Sequence, residues 1–233
     1  MWDWGSTFPL LKKVGRKGKV VGVDISPQLI SQALKRAEEL QIPNISFAIG
    51  NAEQLDFPDN TFDSVVSNLV LKQVSDRVKA IQEMKRVLKP GGYLGFTLPG
   101  SEHYKEFKKI TAIVLGEDLF RPRKNCIQSD PNVLQSLLEE TQISNAEFYS
   151  KVITYFVNSV EEYEAILETR GPKRMILRST QANKQSPTWE NILNEFRKIL
   201  REKGRLPLTI HARAVIWRKP ETKEREQSLK TAK

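Results

Sequence analysis

Apolar residues follow two alternating patterns along the first hundred positions. Short runs rich in β-branched residues, "KVVGVD" at 19–24, "ISFAIG" at 45–50, "FDSVVSNLVL" from 62 and "YLGFTLP" at 93–99, suit strands covered on both faces. Between these runs the apolar positions recur at helical spacing. Leu29, Ile30, Ala33, Leu34, Ala37 and Leu40 form one stripe, and Ala80, Ile81, Met84, Val87 and Leu88 form another. Ser26 and Pro27 supply an N-cap and a first-turn residue for the first helix, while "KPGG" at 89–92 stops the second. Strands alternating with such helices predict an α/β fold with a mostly parallel sheet, right-handed crossovers and helices on both faces. The runs at 19–24, 45–49, 62–67 and 93–98 are then adjacent core strands of a seven-stranded type of sheet, and ligands sit at their carboxyl ends.

The second half is less regular. Residues 101–126 are polar and basic around "ITAIVLG" and read as a helix and lid over that carboxyl edge. Helices are predicted at 131–141, 159–169 and 188–203, with a strand near 145–157. "LPLTIHARAVIW" at 206–217 alternates with period two, placing Ile210, Ala212, Ala214 and Ile216 on one face and a more polar set, including His211, on the other. Residues 220–233 are charged and without apolar periodicity, a disordered tail. One domain over 1–219 follows, with 101–126 and 150–205 as its lid and substrate region.

Composition narrows the class. The 233 residues carry 39% apolar and 28% charged side chains, the balance of a soluble globular chain. No apolar run approaches the roughly 18 residues of a membrane span, and no basic-then-apolar leader opens the sequence, so a cytoplasmic protein is expected. A single cysteine, Cys126, excludes an internal disulfide and a cysteine-rich metal cluster. The net charge of +9 is dispersed over short clusters with no aromatic-interleaved recognition motif, so nucleic acid is not the expected partner.

The candidate chemistry lies at strand ends. Asp24 closes the first apolar run and follows Gly5 by 19 residues, close to the ~20 that separate a glycine turn from a ribose-binding acid. A carboxylate there can accept from both ribose hydroxyls, although an aspartate that only shapes the turn is the alternative. Gly50, Asn51 and Ala52 close the second run, where an amide side chain can accept from an adenine amino group. His103 and Tyr104, after the strand at 93–99, are candidate acid–base groups, and a loop histidine without a role is their alternative.

"GNAEQLDFPDNTFDSVVSNLVLKQV" followed by "MKRVLKPGGYLGFT" is the most specific stretch. With it the chain resembles the class I S-adenosylmethionine-dependent methyltransferases, and within them the ubiquinone and menaquinone biosynthesis group, over residues 3–100. The resemblance implies a Rossmann-like sheet, S-adenosyl-L-methionine as cofactor and methyl transfer to a small-molecule acceptor. It implies that Gly5 belongs to the cofactor loop, Asp24 holds the ribose, Ile25 lies on the adenine face, Asn51 and Ala52 contact the adenine, and Asn68 lies beside the methionine part. Two departures stand out. The first strand is truncated, and Asp3, Gly5, Ser6 and Thr7 run directly into Phe8 and Pro9, so the loop lacks further glycines and the helix after it is shortened. Lys72 and Gln73 also stand where histidines are common in relatives. A catalytically impaired binding module with this fold, or a truncated gene product, is therefore the first alternative. A nicotinamide oxidoreductase is the second, although the sequence has no G-x-G-x-x-G turn.

Overall fold

The computed structural model describes residues 7–117, 131–170 and 187–221; Asp3, Gly5, Ser6, Cys126 and the tail from 222 lie outside them. In chain order the elements are α1 (Thr7–Val14), β1 (Val20–Asp24), α2 (Pro27–Glu39), β2 (Ile45–Ile49), β3 (Phe62–Asn68), α3 (Arg77–Val87), β4 (Leu88–Pro99), α4 (Lys105–Leu115), α5 (Pro131–Glu140), β5 (Glu147–Val157), α6 (Val160–Arg170), α7 (Pro187–Lys203) and β6 (Leu206–Arg218). The chain divides into two compact units. One comprises Met1–Leu98, Leu134–Phe148 and Ala214–Lys233, and the other Pro99–Val133 and Tyr149–Arg213.

The first unit holds the parallel strands. β1 pairs with β2 from Val20↔Ile45 to Asp24↔Ile49, and β3 pairs with β4 from Ser64↔Tyr93 to Asn68↔Thr97. The Ser26 hydroxyl caps α2 by accepting from the Leu29 N–H, Pro27 takes the first turn, and the helix buries Ile30, Ala33 and Ala37. Asp76 caps α3 in the same way through the Lys79 N–H, and Ala80, Ile81, Met84 and Val87 form its buried stripe. Each cap satisfies a backbone donor that the first helical turn leaves without a partner.

The four apolar runs are strands, but they do not form one continuous sheet. β1 and β2 make a two-stranded sheet, and the remaining strands follow the order β3-β4-β6-β5 in another. Among the described residues β1 and β3 each have a ladder partner on one side only, so the parallel set divides between them. β4 and β6 run antiparallel, since Gly91 donates to the Lys219 carbonyl at 2.9 Å while Gly100 donates to that of His211 at 2.8 Å. "KPGG" stops α3 as expected, yet it lies inside β4 as a bulge rather than ahead of it. The register jumps between Phe62↔Leu88 and Ser64↔Tyr93, and Gly91 takes φ +77° there.

The second unit has its own core. Trp189, Ile192, Leu193 and Phe196 form the buried stripe of α7, packed with Phe107 of α4 and Tyr163 of α6. The Phe107 and Phe196 rings stack at 6.3 Å, and Tyr163 lies 4.3 Å from Phe196. In β6 the face expected to be more polar is the more buried one, with Thr209, His211, Val215 and Trp217 all covered. Polar partners make that burial tolerable. The His211 ring accepts the Glu102 N–H at Nδ1, 3.2 Å away, so its proton is on Nε2 and is donated to the Ser150 hydroxyl at 2.9 Å.

Gly100 packs directly against this imidazole. A methyl group added at Gly100 would lie 2.3 Å from the ring atoms, and the ring is held at both nitrogens. Gly100→Ala should therefore destabilise the protein by about 1–3 kcal/mol, the usual cost of overpacking a filled site. Chemical denaturation checks this, and a variant as stable as the parent would show that the imidazole can swing aside.

Candidate functional site

Parallel pairing of β1 with β2 brings two of the sequence-predicted segments together. The Gly50 N–H donates to the Asp24 carbonyl at 3.0 Å, so the turn after β2 stands beside the turn after β1. Asp24 is half-buried. Its Oδ1 accepts the Ser26 N–H at 2.8 Å, whereas Oδ2 carries no hydrogen bond among the described residues. Ile25, the next residue, is 70% exposed, and Ile49 at the end of β2 is 60% exposed. Two exposed apolar side chains thus accompany the half-buried carboxylate at the ends of the paired strands.

Asn51 makes a local turn. Its Oδ1 accepts the Glu53 N–H at 2.9 Å and its carbonyl accepts the Gln54 N–H at 3.0 Å, which leaves one lone pair of the amide oxygen and the amide N–H groups for a ligand. Ala52 is half-buried inside this turn. Asn68 is exposed at the end of β3, in the other sheet of the same unit, and its Oδ1 accepts the Thr97 hydroxyl. The Thr97 oxygen in turn accepts the Leu69 N–H at 3.1 Å, and Leu69 takes φ +60°. Left-handed backbone at a non-glycine residue is a cost that recurs at functional sites. Beside it the Ser67 hydroxyl is buried with no hydrogen-bond partner among the described residues.

His103 and Tyr104 belong to the second unit. The His103 Nδ1 accepts the His211 N–H at 3.3 Å, and its ring lies 4.2 Å from that of Tyr104. Tyr104 is only 6% exposed and forms part of that unit's core. Gly5 falls outside the described residues.

One feature had no sequence reading as a site element. Arg86 clamps the segment after Asn51: it donates to the Leu55 and Phe57 carbonyls at 2.8 and 2.7 Å and pairs with Glu83 at 2.7 Å and Asp59 at 2.9 Å. Glu83 itself accepts the Leu55 N–H at 2.8 Å, and Glu53 accepts from Ser75 at 2.7 Å. The i, i+3 spacing of Glu83 and Arg86 in "EMKR" was the available signal, but it names no distant carbonyl. Lys72, in the loop after β3, has its ammonium pushed below the ordinary lysine value by burial.

The clamp has a pH signature. Hydrogen bonding to Arg86 holds the Glu83 carboxyl below its ordinary value of 4.5, against an opposing contribution from burial. A depressed carboxyl contributes stability in full above its unfolded value and loses it as pH falls through the folded one. Melting temperature should thus fall below about pH 4.5 more steeply in the parent than in Glu83→Gln, which is also less stable at pH 7. Parallel melts from pH 3 to 7 check this, and equal slopes would mean the pair contributes nothing.

Among the described residues no group of three or more His, Cys, Asp or Glu side chains is placed to hold a metal ion, and no helix is long and apolar enough to cross a membrane. A family model described as "Methyltransferase domain" matches residues 5–171. Demethylmenaquinone methyltransferases from Bacillus cereus and Bacillus anthracis are 43% identical over 90 residues, covering 39% of this chain. The match spans 37% of the length of those relatives. In three dimensions the fold is similar to a provisionally assigned methyltransferase from Bacillus halodurans C-125, with a TM-score of 0.54 and 15% identity over 93% of this chain and 99% of the other. It is also similar to the [4+2]-cyclase SpnF, with a TM-score of 0.52 and 22% identity over 91% of this chain and 70% of the other.

Proposed function

The chain belongs to the methyltransferase-domain family, and from that premise we propose that it binds S-adenosyl-L-methionine at the carboxyl ends of β1 and β2 and transfers its methyl group to a small-molecule acceptor. The observation that carries this reading is the half-buried Asp24 carboxylate, with one oxygen uncommitted, between exposed Ile25 and the Asn51 turn. These residues fit the cofactor's nucleoside. Asp24 would accept from the ribose hydroxyls, Ile25 would cover a face of the adenine, and Asn51 and Ala52 would meet its polar edge. Asn68 would stand beside the methionine part, and Gly5 would belong to the cofactor loop. When bound, the cofactor supplies an electrophilic methyl group on a sulfonium, so the protein's task is to align the acceptor and exclude water.

The acceptor's proton can leave to a neighbouring base. The sequence offers His103 and Tyr104 for that role; both belong to the other compact unit, where Tyr104 forms part of the core. Demethylmenaquinone is the first acceptor to test, since the relatives carry that name. A second reading, a binding module that holds the cofactor without turnover, is favoured by α1 starting at Thr7, immediately after Gly5 and Ser6 and with no further glycine in between. The family match sets the nicotinamide oxidoreductase reading aside.

The test is incubation of the full chain with methyl-tritiated S-adenosylmethionine and demethylmenaquinol or simpler quinols, followed by solvent extraction. Label in the extracted quinol is the expected result. Saturable cofactor binding with no label in any acceptor would favour the binding module instead.

A further inference from the structure

β5 ends the strand order β3-β4-β6-β5, and ten of its eleven residues are exposed. Phe148, Tyr149, Tyr155 and Phe156 are 50–59% exposed, Val152 is 44% exposed and Ile153 36%. A long edge strand with aromatic side chains on both faces is a site for pairing with another strand, and natural edges usually carry proline, several charges or a bulge to prevent it. Between Phe148 and Phe156 the only such guard is Lys151.

The sequence of this edge is self-complementary. "FYSKVITYF" at 148–156 reads nearly the same in both directions about Val152. Laid antiparallel against a second copy with Val152 facing Val152, Phe148 meets Phe156, Tyr149 meets Tyr155 and Ser150 meets Thr154. Lys151 meets Ile153, so no like charges face each other. Even-numbered residues meet even-numbered ones, which keeps each side chain on its own face of the sheet. Aromatic pairs directly opposite are among the favoured cross-strand contacts, and a two-fold axis through one residue is the geometry of an isologous interface.

We infer that β5 is a homodimerisation strand, pairing with β5 of a second copy in the register centred on Val152. Its six large apolar side chains expose on the order of 500 Å², if each aromatic offers roughly 150–250 Å² in full. A standard interface takes about 800 Å² per partner, so side chains alone supply more than half, and the strand backbone adds to them. The dimer is accordingly concentration-dependent.

Sedimentation velocity of the full chain from about 5 to 200 µM should show a rise toward twice the 26.7 kDa chain mass, and Val152→Lys, which sets two ammonium groups opposite each other, should abolish it. Val152 lies outside the core, and circular dichroism verifies that the variant is folded. Register is read by cysteine crosslinking in a Cys126→Ser background. Val152→Cys should form an intermolecular disulfide on oxidation, because opposite Cα atoms stand about 4.5–5.5 Å apart, whereas Tyr155→Cys should not. A monomer at all concentrations, a dimer indifferent to Val152→Lys, or equal crosslinking at both positions would overturn the inference.

Discussion

Asp24→Ala should weaken binding of S-adenosylhomocysteine by on the order of 10²- to 10⁴-fold. Two charge-assisted hydrogen bonds to a ribose contribute roughly 1.5–3 kcal/mol each, and each ~1.4 kcal/mol is a factor of ten. The substitution also removes the acceptor of the Ser26 N–H at 2.8 Å, so part of the effect could come from the turn. Asp24→Asn separates the two contributions. It keeps an oxygen for Ser26 and loses the charge, and its affinity should fall between those of parent and Asp24→Ala. Calorimetric titration of the three proteins measures this; equal affinity for parent and Asp24→Ala would leave Asp24 as a residue that only shapes the entry to α2.

Trp189→Ala should cost about 3–5 kcal/mol of stability, the range for removing a buried large aromatic. Trp189 is 2% exposed in the core of the second unit, its ring 6.4 Å from Phe107. Its indole N–H donates to the Glu164 carboxylate at 2.9 Å, so truncation empties a large volume and also removes a donor from a carboxylate. Trp189→Phe keeps most of the packing and loses that donor, and should cost only about 1–2 kcal/mol. Urea denaturation gives both values. A loss below about 1 kcal/mol for the alanine variant would mean that this core repacks freely and that the α7 stripe does not anchor it.

The sequence made some of this legible for physical reasons. Ser26 and Pro27 mark the start of α2 because a cap and a fixed φ act locally, and the α7 stripe at Trp189, Ile192, Leu193 and Phe196 is a direct consequence of helical period. Strand edges are less local. The apolar runs at Val20–Asp24 and Phe62–Asn68 report burial and carry no record of which edge pairs, so the division into two sheets was hidden. The buried side of β6 was misread for a related reason. Thr209 and His211 look solvent-facing by polarity, yet Glu106, Thr154 and Ser150 satisfy them. At the candidate site, Asp24 and Asn51 could be picked out because each closes a strand within a recognisable segment. The Arg86 clamp could not, because its acceptors at Leu55 and Phe57 are backbone carbonyls some 30 residues away, at separations of 31 and 29.

The turns that follow β1 and β2 are the proposed seat of a nucleoside cofactor. Amide hydrogen exchange of the full chain, with and without saturating S-adenosylhomocysteine, tests where a ligand stabilises the fold. Slowed exchange is expected in peptides covering Ile25–Leu29 and Gly50–Gln54. Unchanged exchange in both segments, at a ligand concentration that calorimetry shows to be saturating, would contradict it.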